Sequence, residues 1–424
     1  MANSFDSNFT RKLARVFLEK FESERILSKN VNTQLLDGKF APDTGENVDF
    51  KRPTDYKTKR TATGDITGAG RSDIITGKAT GTVQNYFTVD VDFNEADEAL
   101  KMDQLDQLLA PMATRIKTDL EVDFAAFMVK NAGLLSGTYG TAVSTWDHVA
   151  RAGATLMATG VPGDEKWCYA INPYTQAKLA SNQRSLGNGS DSLVNEAHMK
   201  AVISDNFAGM RVMAATTLPT VTHSAGADRA GTLSANPVVT YLAHKDTMKQ
   251  VLPVTGFQAN LVVKAGEVIQ IAGRYRLNLS TRQQILDDAG APILFTGVVT
   301  EDVTLGASGE GNITVTGPAI FEATGAYNTV ATAPVSGDVV TLLGTASTVN
   351  QPNLFWHKNA FAIGSVPIKK LYSTDTIATT EDGLQFRVSK YADGDANKQI
   401  VRFDFRPAYA VLNPFFAGQS FGFT

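Results

Sequence analysis

Residues 261–280, LVVKAGEVIQIAGRYRLNLS, set the period by which the rest of the chain must be read. Leu261-Val262-Val263 and Val268-Ile269-Gln270-Ile271 are short apolar runs parted by Ala265-Gly266. Arg274 to Ser280 alternates strictly, with Tyr275, Leu277 and Leu279 on one face. A period of two broken by glycine-bearing turns is a β pattern. It extends from about Val221 to Asn350, through Ile313-Thr314-Val315 and Val339-Val340-Thr341-Leu342, and predicts a small all-β barrel or sandwich.

Upstream of this block the period is helical. Leu105, Leu109, Met112, Ile116, Leu120, Phe124 and Phe127 form one stripe. Pro111 lacks an N–H and is tolerated best at a first helical position, so a long helix is expected from Pro111 to about Lys130, ending before Gly133. Residues 134–220 read as an α/β module. It has a helix at Trp146–Ala158 closed by Gly160, a buried strand at Lys166–Ile171, helices through Leu179 and Val202, and a strand at Met210–Ala214. Downstream, PNLFWHKNAFAIGSVPI (352–368), LQFRVSKY (384–391) and QIVRFDFRPAYAV (399–411) are apolar strand segments, too few to make a core alone. Both flanks are incomplete, so the β block is read as an insertion into a sheet begun before residue 220.

The beginning of the chain differs again. Phe9, Leu13, Val16, Phe17 and Phe21 recur at helical spacing over residues 8–28, with Arg11, Lys12, Arg15, Glu19 and Glu22 between them. Residues 40–94 are polar, and TGDITGAGRSDIITGKATGTV (63–83) offers little to bury. A long polar excursion suits an arm ordered against a neighbouring subunit. Its basic excess lies in Lys51, Arg52, Lys57, Lys59, Arg60, Arg71 and Lys78. With Arg11, Lys12 and Arg15 these are the candidate intersubunit or inner-surface contacts. Phe87–Phe93 then alternates as a strand with one wet face.

Composition argues against several kinds of chemistry. The 424 residues are 43% hydrophobic, enough for two or three packing units, and the formal charge of −4 does not describe a general polyanion trap. Cys168 is the only cysteine, so no intrachain disulfide is possible. In a predicted buried strand it reads as a small core hydrophobe. His148, His198, His223, His244 and His357 are scattered, and neither HExxH nor CxxC occurs, so no metal is expected. The glycine-rich stretches lack phosphate-binding spacing, and the acidic pairs Asp90/Asp92 and Asp287/Asp288 suit wet strands and turns. No catalytic site and no cofactor are expected. No apolar run reaches the length of a membrane span, which predicts a soluble protein of the cytoplasm without membrane contact.

Three stretches carry a family resemblance: Phe207-Ala208-Gly209 through LPTVTHSAG (218–226), AGEVIQIAG (265–273) and NLFWHKNAFAI (353–363). With the order of elements over nearly the whole chain, they resemble the major coat proteins of P22-like short-tailed bacteriophages, within the HK97-like capsid superfamily. The resemblance implies an α+β capsid fold. Its parts would be an N-terminal arm helix (1–39), an extended loop with flanking strands (40–93) and a peripheral domain with a spine helix (94–133). An axial domain (134–222, resumed at 350–383), an inserted telokin- or Ig-like barrel (223–349) and C-terminal strands (384–424) would complete it.

It also implies a shell of pentamers and hexamers built in the bacterial host cytoplasm. Assembly would begin as a procapsid with scaffolding protein and a portal, and packaging of double-stranded DNA, touched non-specifically, would expand it. The competing expectations are a tail, decoration or carbohydrate-binding β-rich protein, and a hydrolase with a β accessory domain.

Overall fold

The computed structural model describes residues 11, 14, 15, 18, 19, 21, 25–33, 47–52, 54–56, 58–67, 74–94, 105–186, 200, 201, 203, 206–323, 325–372, 375–395 and 398–423. The chain forms two compact units. The first comprises Met1–Asp49, Thr80–Ala125 and Phe361–Ala410, and the second Phe50–Ala79, Ala126–Ala360 and Val411–Thr424.

The first unit is built on an antiparallel sheet ordered Thr376–Thr379, Gln385–Asp393, Lys398–Phe405, Phe87–Asn94. Phe386 faces Phe405 and Val388 faces Phe403, which puts the aromatic and branched residues of both strands on one side. Phe21, from the helical start of the chain, plugs that side 4.5 Å from the Phe386 ring and is fully buried. The other side carries Arg387, Arg402 and Asp404. A second sheet orders Asn47–Lys51, Lys78–Val83, Pro407–Val411 and Phe361–Ser365. Glu121 accepts hydrogen bonds from the backbone N–H groups of Leu27 (2.8 Å) and Ser28 (3.1 Å), tying the first described turns to the long helix.

That helix, α1, runs from Leu105 to Asn131 and buries Met112, Ile116, Leu120, Phe124 and Met128. It starts before Pro111, not at it. The proline withholds one backbone bond, to the carbonyl of Gln107. Leu105, Gln107, Leu108, Leu109 and Ala110 are good helix formers added to a helix already nucleated downstream, so extension outweighs one missing bond.

The second unit holds a six-stranded sheet ordered Leu134–Ser136, Ala417–Ser420, Asn353–Trp356, Cys168–Ile171, Met210–Ala214, Asn206–Phe207. Its two central strands come from either side of the β block: Phe355 pairs with Tyr169 and with Gly418. A Cβ on Gly418 would lie 2.3 Å from the Phe355 ring, so only glycine lets that strand close up. Helices α2 (Trp146–Thr159) and α3 (Pro173–Leu186) cover this sheet, and Val149, Leu156 and Leu179 join Tyr169, Met210 and Phe355 in one core. Gly160 ends α2 in the left-handed conformation. The helix expected through Val202 lies largely outside the described residues.

The β block is a closed six-stranded barrel. Around it run Lys249–Thr255, Gly311–Thr316, Leu294–Val299, Val268–Tyr275, Val339–Leu342 and Ala230–Leu233. Leu252, Ile269, Ile271, Phe295, Ile313, Val315 and Val340 fill it. Closure leaves no strand edge unpaired. The strand expected over Arg274–Ser280 stops at Tyr275, because an irregularity between Ile271 and Tyr275 breaks the register and leaves Arg276 and Leu277 only single bridges.

Candidate assembly surface

The polar excursion is a hairpin whose legs are fastened to the rest of the chain at several points. At the base, Arg52 is buried, and its guanidinium donates to the carbonyls of Lys78 (3.0 Å), Val411 (3.2 Å) and Leu412. Burial pushes its pKa down to about 10, against the raising influence of Tyr241 and Asp246. The Arg52 N–H meets the Gly77 carbonyl at 2.8 Å. A side chain at Gly77 would strike the Lys245 carbonyl at 2.4 Å, so this crossing requires glycine.

Further out, Tyr327 bridges the legs. Its hydroxyl accepts from the Asp55 N–H (2.9 Å) and donates to the Ile75 carbonyl (3.2 Å), while its ring stacks on Tyr241 with centroids 3.7 Å apart. Asp55 also pairs with Arg282, and the Lys78 N–H donates to Asp246 at 3.1 Å. Beyond these clamps residues 60–67 are exposed, and Tyr56, Ile66 and Ile74 present apolar surface to solvent.

The predicted basic contacts divide accordingly. Lys51, Arg60 and Lys78 are exposed on the hairpin and Lys59 is half-buried, while Arg11 and Arg15 are exposed on the first helical stretch. Lys12, Lys57 and Arg71 lie outside the described residues. Arg52 departs from that expectation: it is buried, and its guanidinium donates to carbonyls of its own chain. Sequence reasoning missed Tyr241, Asp246, Arg282 and Tyr327. They lie at least 168 residues from their hairpin partners, and no local pattern marks them.

Cys168 is buried, which pushes its thiol up to about 11. Burial holds His148 below its ordinary value, and its Nδ1 accepts from the Ser144 N–H at 3.1 Å. His357 is buried beside Asp164, whose carboxyl is held low by the hydrogen bond from His357. Among the described residues no three His, Cys, Asp or Glu side chains converge as a metal site, and no helix is long and apolar enough to cross a membrane.

The family model of the P22 coat protein, gene protein 5, matches residues 1–422. The chain belongs to the P22 coat protein family. A relative described as the major capsid protein of Acyrthosiphon pisum secondary endosymbiont phage 1 is 38% identical over 426 residues, covering 100% of both chains. Among solved structures, that of Mycobacterium phage Che8 aligns with a TM-score of 0.48 at 12% identity over 95% of this chain and 91% of its own. The capsid structure of cyanophage P-SCSP1u aligns with a TM-score of 0.45 at 10% identity, covering 95% and 88%.

Proposed function

We propose that this coat protein builds the pentamers and hexamers of an icosahedral phage shell. It would do so first in a procapsid directed by scaffolding protein and carrying a portal, then in a shell expanded by DNA packaging. It acts by assembly and not by catalysis, in the cytoplasm of the bacterial host. Membership of the coat family along almost the entire chain is the observation that carries this reading.

The physical requirement is that one sequence occupies five- and six-fold surroundings. Stiff units joined by adaptable reaches meet it, with expansion as a rotation between packed states. In this reading residues 1–39 are the N-arm, and the hairpin with its flanking strands, residues 40–93, is the extended loop reaching a neighbour. α1 serves as the spine helix of a peripheral domain over 94–133. The six-stranded sheet belongs to the axial domain, 134–222 and 350–383, and residues 384–424 complete the core. The barrel within 223–349 is the telokin-like insertion on the outer face. Arg11 and Arg15 would touch packaged double-stranded DNA without sequence preference. The decisive test is electron microscopy of the chain produced with its scaffolding protein. Uniform closed shells are expected, and discrete monomers or trimers alone would overturn the reading.

A further inference from the structure

Within the second unit, a cleft of about 680 Å³ opens between α2, the Leu134–Ser136 strand and residues 276–296. Such a volume suits a small organic ligand. Arg276 forms part of its wall and is buried. Its Nη2 donates to the Thr296 carbonyl (2.7 Å), the Thr296 hydroxyl (3.1 Å) and the Gly133 carbonyl (3.2 Å), and the rings of Phe295 and Phe415 lie 5.5 and 5.7 Å away. Among the described residues no carboxylate contacts this guanidinium, whereas the buried Arg25, Arg229 and Arg387 each hold one. Burial lowers its pKa to about 10 with no acid opposing the shift. A buried cation without a counter-ion is costly, and an oxyanion in the cleft answers it.

The rest of the lining limits what the oxyanion can be attached to. Ala150, Ala154 and Leu286 present apolar surface. At the rim, Asp147 and Asp288 are engaged by Arg151 at 3.0 and 2.8 Å, and Asp287 closes its own turn by accepting from the Ala289 and Ala291 N–H groups. Three carboxylates around the opening repel a polyanion, so nucleotides and polyphosphates are disfavoured. A single charge on an apolar body meets least opposition.

We infer that this cleft binds a monoanionic amphiphile, a carboxylate or sulfonate on a body of one or two rings. The oxyanion sits at Arg276, and the rings lie against Ala150, Ala154 and Leu286. An occupant would brace α2 against the segment that leaves the barrel after Tyr275.

The test is calorimetric titration of the full-length unassembled subunit with 2-naphthoate and, separately, with uncharged 2-naphthylmethanol. One saturable site is expected, at least tenfold tighter for the carboxylate. Arg276→Gln should bring naphthoate down to the affinity of the alcohol. Ala154→Trp, at an exposed position on the cleft wall, should abolish binding of both while leaving the circular dichroism spectrum unchanged, and it carries the test if Arg276→Gln does not fold. The inference is overturned if the wild type shows no saturable site, if it binds acid and alcohol equally, or if Ala154→Trp binds as the wild type does. None of these outcomes depends on shell assembly.

Discussion

Glu267 and Arg229 lie 2.7 Å apart in the barrel unit, with the Glu267 side chain wholly withdrawn from water. The carboxylate also accepts from the Ser224 N–H and hydroxyl and from the Lys264 N–H, at 2.7–3.1 Å, so its lone pairs are occupied. Replacing Glu267 by Ala strands the Arg229 charge and should destabilise the protein by about 3–5 kcal/mol. Arg229→Met combined with Glu267→Leu should cost markedly less, because no charge is left buried. Urea unfolding of the two variants beside the parent checks this, and equal losses for the single and double variants would refute it.

Asp404 should make the first unit acid-sensitive. Its burial favours the neutral form, but hydrogen bonds from Arg387, Arg402 and Thr88 more than offset this and hold its pKa below the ordinary carboxylate value. A depressed folded pKa gives stability that is fully present above the unfolded value and is lost as pH falls through the folded one. The denaturation midpoint should therefore be steady near neutrality and drop below about pH 4. Asp404→Asn should be less stable at pH 7 and show a shallower acid dependence. An unchanged acid slope in that variant would exclude Asp404 as its source.

The hairpin clamps make a sharper deletion possible than removal of the whole loop. Replacing residues 58–73 by a short glycine-serine turn keeps Asp55 with Arg282, Tyr327 with Ile75, and both flanking strands. The variant should unfold within about 0.5 kcal/mol of the parent, as for surface changes. It should also fail to form closed shells by electron microscopy. Normal shells from this variant would remove the tip from the assembly mechanism.

Cys168 should be inert in the folded chain. A thiol raised to about 11 and buried in the central strand carries almost no thiolate at pH 8. A thiol-specific disulfide reagent should react with it only after denaturant is added. Stoichiometric reaction within seconds in buffer would show that the strand opens readily.

Pro111→Ala restores a backbone donor for the Gln107 carbonyl inside α1. The variant should be more stable by about 1–3 kcal/mol, read as a higher thermal midpoint. A lower midpoint would mean that the proline's fixed backbone angle is needed there.

Much of this architecture was legible before any tertiary contact was known. The alternation around Val268–Ile271 marked the barrel, and the stripe from Met112 to Phe124 marked α1. The unfinished flanks of the β block pointed to the sheet in which Phe355 lies beside Tyr169. These readings succeed because burial repeats with the period of the element, and that period is written locally. The start of α1 was misplaced because a proline's local cost was weighed without the helix already propagating beyond it. The candidate assembly surface was legible only as a polar, basic stretch.

The sequence by itself determined which segments are helix, strand and polar reach, and the family to which their order belongs. Only the tertiary structure decided that Arg52 turns inward, that Tyr327 and Tyr241 clamp the hairpin, and that Arg276 is buried without a carboxylate. Each of these depends on residues brought together from more than a hundred positions apart. A side chain's fate there is set by which donors and acceptors arrive beside it, and no local pattern records that.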